Sequence, residues 1–231
     1  MPHMLITGAN RGIGLEHTRV LLSRGWHVSA ACRNPDQASE LKKLDPGDGR
    51  LAVLAYDAGQ ADAAETLKAK VKGPIDILFA NAGMMGPKEQ SFGSSDFDFD
   101  AMTRTIQVNA LAPLKLAEAF ADQVAKSQMK VIALQSSRMG SIADNDSGGR
   151  YAYRASKAAL NAIGKSLSVD LKSKGIVTLI FHPGWVRTDM GGPNGNLTVN
   201  ECVEGQLDLI ARANPAMNGR FFHVSGEDLD W

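Results

Sequence analysis

The sequence predicts an α/β protein: one domain over residues 1–231, built on a doubly wound, seven-stranded parallel sheet flanked by helices. Short apolar runs rich in β-branched residues alternate with segments of helical period from end to end, which is typical of strands joined by crossover helices. Several runs are apolar almost throughout, as strands covered on both faces tend to be. The candidate strands are 3–6, 27–31, 51–56, 75–80, 130–135, 176–181 and 220–224.

The composition is that of a globular protein, with 231 residues, 44% hydrophobic and 22% charged. Lys+Arg and Asp+Glu both number 25, so the chain lacks the basic excess of a nucleic-acid binder. Cys32 and Cys202 have neither zinc-site nor disulfide spacing, and we expect no metal. No signal peptide or membrane span is recognised. We expect a cytoplasmic protein whose partner is a small molecule, with no nucleic acid or membrane partner.

The clearest helix follows the fifth strand, because small and apolar residues recur there at the spacing of one helical face. They are Ala155, Ala158, Ala159, Ala162, Ile163 and Leu167. Two segments rich in turn-forming residues, 144–149 and 191–196, predict surface loops. The second belongs to a substrate loop that we expect at about 185–200.

A glycine-rich turn follows the first strand and opens a helical segment. Its residues are Thr7, Gly8, Ala9, Asn10, Arg11, Gly12, Ile13 and Gly14. Glycines let the backbone approach a pyrophosphate, and the helix N-terminus offers unpaired N–H groups. Such turns also occur wherever a strand meets a helix, so a purely structural role stays open for the motif alone. Its position in the first βαβ unit favours a dinucleotide site of the Rossmann type.

The second strand ends without the acidic residue that holds a ribose in NAD sites, and its end reads Ala31-Cys32-Arg33-Asn34. Arg33, with Arg11 from the glycine turn, suits the 2′-phosphate of NADP. The alternative is that both arginines are solvated surface residues. The missing carboxylate favours NADP(H) as the cofactor.

Tyr153 and Lys157 lie four residues apart and hence on one face of the predicted helix. An unperturbed tyrosine titrates near pH ~10, so a neighbouring ammonium would make it a better acid near neutrality. The pair alone is common by chance. Ser136 and Ser137 end the fifth strand, however, at the carboxyl edge where open α/β sheets bind ligands.

In order and separation, these fragments resemble the short-chain dehydrogenase/reductase family over essentially the whole chain. The matches are Thr7-Gly-x-x-x-Gly12-x-Gly14, Asn81-Ala82-Gly83, Asn109, Ser137, Tyr153-x-x-x-Lys157 and Pro183-Gly184. The resemblance extends to the carbonyl-reductase-like branch, and it implies an oxidoreductase that uses a nicotinamide dinucleotide.

The resemblance implies a catalytic set. Tyr153 would donate the proton, and Lys157 would lower its pKa and hold the nicotinamide ribose. Ser137 would hydrogen-bond the substrate oxygen, and Asn109 would hold a water that links Lys157 to solvent. Ser137 is preferred to Ser136 because the family serine lies three positions before a small residue, which here is Gly140.

The resemblance also implies contacts to the cofactor: Asp57 at the adenine, the 81–83 backbone beside the adenosine ribose, and Thr188 at the nicotinamide carboxamide. For Asp57 the alternative is a helix N-cap, and Thr188 could equally be a cap. The full expected set is Gly8, Asn10, Arg11, Gly12, Ile13, Gly14, Arg33, Asp57, Asn81, Ala82, Gly83, Tyr153, Lys157, Pro183, Gly184, Val186 and Thr188.

One departure affects the substrate cleft: more residues separate Ser137 from Tyr153 than is common in the family, through the 144–149 segment. We therefore expect an NADPH-dependent reductase of a ketone, aldehyde or quinone. Two alternatives stay open: a dehydrogenase dedicated to one substrate, and a dinucleotide-binding signalling protein of the C-factor type. The resemblance leaves the oligomeric state open among a monomer, a homodimer and a tetramer.

Overall fold

The seven predicted strands form one parallel sheet in the computed structural model, which describes residues 1–87, 91–93 and 98–231. The strands are β1 His3–Thr7, β2 His27–Cys32, β3 Leu51–Ala55, β4 Ile77–Ala80, β5 Val131–Gln135, β6 Val177–His182 and β7 Arg220–His223. Their spatial order is β3-β2-β1-β4-β5-β6-β7. This doubly wound order confirms the predicted fold class.

The longer helices connect successive strands or lie on the faces of the sheet. They are α1 Gly12–Ser23, α2 Ser39–Lys42, α3 Ala63–Lys70, α4 Phe99–Ile106, α5 Ala112–Ala125, α6 Tyr151–Asp170 and α7 Val199–Ala211, with a π-helical segment at Gln107–Leu111. Short 3₁₀ turns lie at Pro35–Gln37, Arg138–Gly140, Lys172–Lys174 and Pro215–Met217. None of the helices formed by the described residues is long and apolar enough to cross a membrane.

Both faces of the sheet are buried, which explains the almost unbroken apolar character of its central strands. Along β4, Phe79 belongs to the core layer that contains Val20 of α1, whereas Leu78 belongs to the opposite layer with Phe120 of α5. Phe79, Leu78 and Phe120 have no exposed surface. Consecutive residues of a strand thus point into different layers, and each layer requires an apolar side chain.

The fourth strand begins later than the sequence predicts, at Ile77 rather than at residue 75. The cause is Asp76, whose carboxylate accepts the N–H of His3 at 2.9 Å and the N–H of Gln128 at 3.3 Å. A buried carboxylate needs such donors. Asp76 therefore links the start of β1 to the segment before β5 at the amino edge of the sheet.

The order of the strands reverses at β1, which lies between β2 and β4. Connections leave the carboxyl ends of β1 and β4 in opposite directions, which opens a crevice at that edge. The glycine turn and residues 81–83 lie at this crevice because they directly follow β1 and β4. The topology thus fixes where a ligand can bind.

Replacing Phe120 by alanine tests the two-layer core. Because Phe120 is fully buried in α5, we expect Phe120→Ala to lower the free energy of unfolding by about 3–5 kcal/mol in a denaturant titration. The control is Phe99→Ala, since Phe99 is 75% exposed and its loss should cost less than ~0.5 kcal/mol. Similar losses in the two variants would contradict the layer assignment.

Candidate active site

Glycines shape the turn between β1 and α1. Gly8 and Gly12 have φ values of +69° and +52°, in the left-handed region that other residues rarely adopt. Gly14 has an ordinary backbone, yet a Cβ there would lie 2.4 Å from the Gly8 carbonyl oxygen. The glycine motif therefore lets α1 pack directly onto the turn that precedes it.

The N-terminus of α1 has the properties of an anion site. Among the described residues, no side chain caps it: its N-cap, Arg11, makes no such hydrogen bond, and the first turn has no acidic residue. Its N–H groups and the positive end of the helix dipole therefore remain available. A dinucleotide pyrophosphate fits this turn, because the glycines bring the backbone of the turn and the start of α1 close together and the helix N–H groups can bind an anion.

Thr7, at the end of β1, joins the glycine turn to the segment after β4. Its hydroxyl accepts the N–H of Asn81 at 3.2 Å and the N–H of Ala82 at 3.1 Å. The Asn81 side-chain amide donates back to the Thr7 carbonyl oxygen at 2.9 Å. Residues 81–83 thus lie against the turn, as a shared nucleotide site requires. No role for Thr7 beyond the glycine motif is predicted from the sequence, although a hydroxyl at a strand end is a usable signal.

The residues predicted at the adenosine end follow β2 and β3. Arg33 is exposed and forms no ion pair with any residue that the structure describes. Asp57 accepts the N–H of Gly59 at 2.9 Å, so its carboxylate closes a turn. The alternative of a helix N-cap is wrong for Asp57, because α3 begins only at Ala63.

Arg11 pairs with Asp189, at 3.1 Å between Nη1 and Oδ2. The two side chains are 62% and 77% exposed, so the pair contributes at most ~1 kcal/mol. It links the glycine turn to the segment after β6. Asp189 is not among the residues predicted from the sequence, since no local pattern pairs residues 178 positions apart.

The two adjacent serines after β5 have different partners. Ser136 donates to Asn161 Oδ1 at 2.5 Å in the interior. Ser137 lies close enough to the Tyr153 side chain to lower the pKa of its hydroxyl, and Ser137 Oγ accepts the N–H of Met139 at 3.2 Å. The structure therefore brings Ser137 to Tyr153, whereas Ser136 is held by Asn161.

Gly140 sets the distance between the serine turn and α6. A Cβ at this position would lie 2.6 Å from the Lys157 carbonyl carbon and 2.8 Å from the Lys157 Cβ. Only glycine lets the turn approach the helix backbone so closely. The small residue three positions after Ser137 thus has a physical reason: it allows Ser137 and Tyr153 to meet.

Tyr153 and Lys157 lie one turn apart on the buried face of α6. The Lys157 ammonium is 5.7 Å from the centroid of the Tyr153 ring and donates to the Gln135 carbonyl oxygen at 2.7 Å. Burial lowers the pKa of Lys157 to about 8. Burial also raises the pKa of Tyr153, and the hydrogen bond with Ser137 offsets part of that rise. At neutral pH the phenol therefore keeps its proton while most of the lysine is charged.

The net pKa shift of Tyr153 is set mainly by burial, so the expectation that Lys157 by itself lowers this pKa stays a prediction. Burial disfavours the phenolate more than its surroundings favour it, so the net shift in the pKa of Tyr153 is upward. The same burial weakens the charge on Lys157. A protonated Tyr153 is the form that can donate a proton to a substrate.

Asn109 joins the segment after β4 to α6 from the π-helical segment between α4 and α5. Its Oδ1 accepts the N–H of Met84 at 2.8 Å, and its Nδ2 donates to Ser156 Oγ at 3.0 Å. A Cβ at Gly83 would lie 3.3 Å from Asn109 Oδ1 and 3.7 Å from Lys157 Nζ. Asn109 and Lys157 thus flank Gly83, and the role of Asn109 in holding a water stays a prediction.

The segment after β6 returns to the glycine turn. Gly184 has a φ of +77°, and a Cβ there would lie 2.5 Å from Leu197 Cδ1. Val186 is buried and its backbone pairs with that of Leu197. Thr188 Cγ2 lies 3.5 Å from where a Cβ on Gly12 would be. The predicted nicotinamide segment is therefore next to the predicted pyrophosphate turn.

A cavity of about 340 Å³ opens beside the first turn of α6 and is lined by Ser91, Phe92, Gly93 and Tyr151. Phe92 is 94% exposed, and Tyr151 lies two residues before Tyr153. Aromatic walls of this kind suit the apolar part of a ligand. This cavity is not predictable from the sequence, because no motif or periodic pattern marks residues 91–93.

Comparison with known proteins agrees with this geometry. A family model described as short chain dehydrogenase matches residues 2–196. The C-signal protein of Myxococcus xanthus is 44% identical over 159 residues, which is 69% of this chain and 94% of that protein. The solved structure of the carbonyl reductase Sniffer of D. melanogaster has a TM-score of 0.92 and 36% identity, with 100% of each chain covered.

A second solved structure, the NADPH-bound carbonyl reductase from chicken fatty liver, has a TM-score of 0.90 and 30% identity. The match covers 100% of this chain and 99% of the chicken enzyme's chain. The chain belongs to the short-chain dehydrogenase family, in its carbonyl-reductase-like branch. It is thus an oxidoreductase of a family that binds nicotinamide dinucleotides, and the predicted resemblance is confirmed.

Burial of Lys157 makes stability depend on pH. Between its folded pKa of about 8 and the unfolded value near ~10.4, the unfolded chain binds the extra proton, so wild-type stability rises with pH in this window. Below that window the full cost of the buried charge is present. At pH 7 we expect the free energy of unfolding of Lys157→Met to exceed that of the wild type by up to ~3 kcal/mol. This difference should shrink as the pH rises from 8 to 10.

The measurement is a series of denaturant titrations across that pH range. Lys172→Met is the control, because Lys172 is exposed in a short 3₁₀ turn and its removal should give a small difference at every pH. A Lys157→Met difference that did not change with pH would contradict the burial of the ammonium.

Proposed function

We propose that the protein is an NADPH-dependent carbonyl reductase, which converts a ketone, aldehyde or quinone to an alcohol with Tyr153 as the proton donor. One observation carries the proposal: Ser137, Tyr153 and Lys157 meet at the carboxyl edge of the sheet. Relatives solved as carbonyl reductases, one with NADPH bound, support the same reaction class.

The proposed chemistry divides the work between the cofactor and the chain. A bound nicotinamide would supply the hydride that the carbonyl carbon receives. The hydroxyls of Ser137 and Tyr153 donate hydrogen bonds to the carbonyl oxygen and stabilise its growing negative charge. Tyr153 then transfers its proton to that oxygen, and the Lys157 ammonium stabilises the phenolate until solvent reprotonates it.

The residues proposed to hold the cofactor extend across the crevice. The glycine turn suits the pyrophosphate. Arg33 suits the 2′-phosphate because its guanidinium has no carboxylate partner among the described residues, whereas Arg11 is already paired with Asp189. The 81–83 backbone with Asp57 suits the adenosine, and the 183–188 segment suits the nicotinamide. Residues 185–200 then form the substrate loop of a single-domain enzyme.

Replacing the tyrosine hydroxyl tests the proton donor. We expect the wild type to oxidise NADPH with members of a panel of quinones, aromatic aldehydes and diketones. Tyr153→Phe should lose at least ~100-fold in kcat while still binding NADPH, since it lacks only the donated proton. Ser166→Ala is the control, because it removes an exposed hydroxyl from the same helix outside the proposed site. Comparable turnover by Tyr153→Phe would exclude the proposed donor.

Removing the Arg33 guanidinium tests the choice of cofactor. A charge-assisted hydrogen bond contributes about 1.5–3 kcal/mol, so Arg33→Ala should lower kcat/KM for NADPH by about 10–100-fold. The value for NADH should not fall, because NADH carries no 2′-phosphate. Arg212→Ala, an exposed arginine at the end of α7, is the control. Equal losses with both nucleotides would assign Arg33 a structural role.

A dinucleotide-binding signalling protein is the second candidate, and the 44% identity to the C-signal protein favours it. A wild type that binds NADPH but oxidises it with no member of the panel would support this candidate over the reductase. Normal turnover that Tyr153→Phe abolishes would support the reductase.

A further inference from the structure

Three buried polar side chains form a hydrogen-bonded chain on the α1 and α7 side of the sheet. His17 Nε2 lies 2.9 Å from Gln206 Oε1, and Gln206 Nε2 donates to Gln135 Oε1 at 2.7 Å. His17 and Gln206 have no exposed surface, and Gln135 is 8% exposed. The three residues connect α1, α7 and the end of β5.

The surrounding layer is otherwise apolar, which makes the chain costly to bury. The ring of His17 packs edge-on against Phe79 at 4.8 Å, and Ala133, two residues before Gln135, belongs to the same apolar cluster. Polar groups in such a layer lower stability unless they are paired. Departures of this kind from the core pattern are expected where a function requires them.

The hydrogen-bonded chain ends at Gln135, the residue whose main-chain carbonyl binds Lys157. The Lys157 ammonium donates to the main-chain carbonyl oxygen of Gln135 at 2.7 Å. The pairing between β4 and β5 ends at Leu134, so within the described part of the chain no strand pairs with this carbonyl on the β4 side. The N–H of the same peptide group is fixed, because Ser136 N donates to Phe181 O at 2.8 Å. The side chain of Gln135 supplies the remaining anchor.

We infer that His17, Gln206 and Gln135 are positioning residues that hold the Gln135 carbonyl in place for the Lys157 ammonium. The inference rests on the proposed function, since a fixed ammonium matters because it stabilises the Tyr153 phenolate. None of the three side chains needs to touch the substrate. Their effect passes through one main-chain oxygen.

The hydrogen-bonded chain of His17, Gln206 and Gln135 carries no charge near neutral pH. Burial lowers the pKa of His17 to about 4, and this outweighs the hydrogen bond to Gln206 and the carboxylates of Glu16 and Glu204. Neutral His17 donates through Nε2, because the Gln206 oxygen can only accept. The protonation of His17 and the direction of the hydrogen bonds in this hydrogen-bonded chain therefore stay the same in the pH range where Lys157 titrates.

Few titratable groups face the Lys157 ammonium. Tyr153 lies on the same helix, the carbonyl of Gln135 accepts from the ammonium, and among the described residues the neutral side chain of Asn109 lies near it on the other side of Gly83. Burial is the cause of the lowered pKa of Lys157. Because no charged group contributes to this shift, a weaker hydrogen bond to the carbonyl should change the titration of Lys157.

The test follows Lys157 in the cofactor-free protein by NMR, with ¹³C at the lysine Cε. The Lys157 resonance is identified by its absence from Lys157→Met, and we expect a wild-type midpoint at about pH 8. Gln206→Leu should lower the midpoint by about half a unit to one unit, because the charged form loses part of its hydrogen bond. The alkaline limb of kcat/KM with NADPH should move in the same direction.

A matched control separates positioning from packing. Leu207→Ala changes the neighbouring residue on α7, which is buried against the same layer, so it should lower stability without moving the Lys157 midpoint. Gln135→Leu removes the other partner of the same hydrogen bond, and the double variant Gln135→Leu/Gln206→Leu should shift the midpoint no further than either single change.

If Gln206→Leu does not fold, His17→Leu/Gln206→Leu removes the buried donor together with its acceptor and takes its place. A midpoint that stays at the wild-type value in these variants, or moves equally in Leu207→Ala, overturns the inference. A wild type that turns over no carbonyl compound would instead refute the proposed function, while the NMR titration would still test whether the chain positions the carbonyl.

Discussion

Burial of a parallel sheet on both faces is the constraint on which the rest of this structure depends. Helices cover each face, so most side chains within the central strands are apolar. Polar side chains can reach solvent or a ligand only where the strands end. In a parallel sheet all carboxyl ends share one edge. The glycine turn, residues 81–83, Ser137 and the 183–188 segment each follow a different strand, so the topology brings them together.

Close packing then converts this neighbourhood into a site. Gly140 lets the serine turn approach the backbone of α6, and Gly164 lets α6 approach the sheet, where a Cβ would lie 2.7 Å from Ile180. At Gly140 the close contact is with the backbone of α6, and at Gly164 it is with the side chains of Ile180 and Leu134. Close packing at both glycines therefore sets the distances between Ser137, Tyr153 and the strand ends.

The energetics explain why a reactive lysine can lie inside such a fold. Desolvation disfavours the Lys157 ammonium, and the Gln135 carbonyl returns part of that cost as a charge-assisted hydrogen bond. The polar chain from His17 through Gln206 extends the support behind that carbonyl into an otherwise apolar layer. The fold gives up some stability at this place, and the proposed reaction gains a fixed positive charge.

The sequence by itself determined the strands, the glycine turn and the pairing of Tyr153 with Lys157 on one helical face, because each depends on the periodicity or spacing of residues close in the chain. Only the tertiary structure decided that Ser137 meets Tyr153, and that His17 joins Gln206 across 189 positions. It also set the direction of the pKa shifts. Contacts between distant residues and the loss of solvent depend on how all the layers pack, and no local pattern in the sequence records that packing.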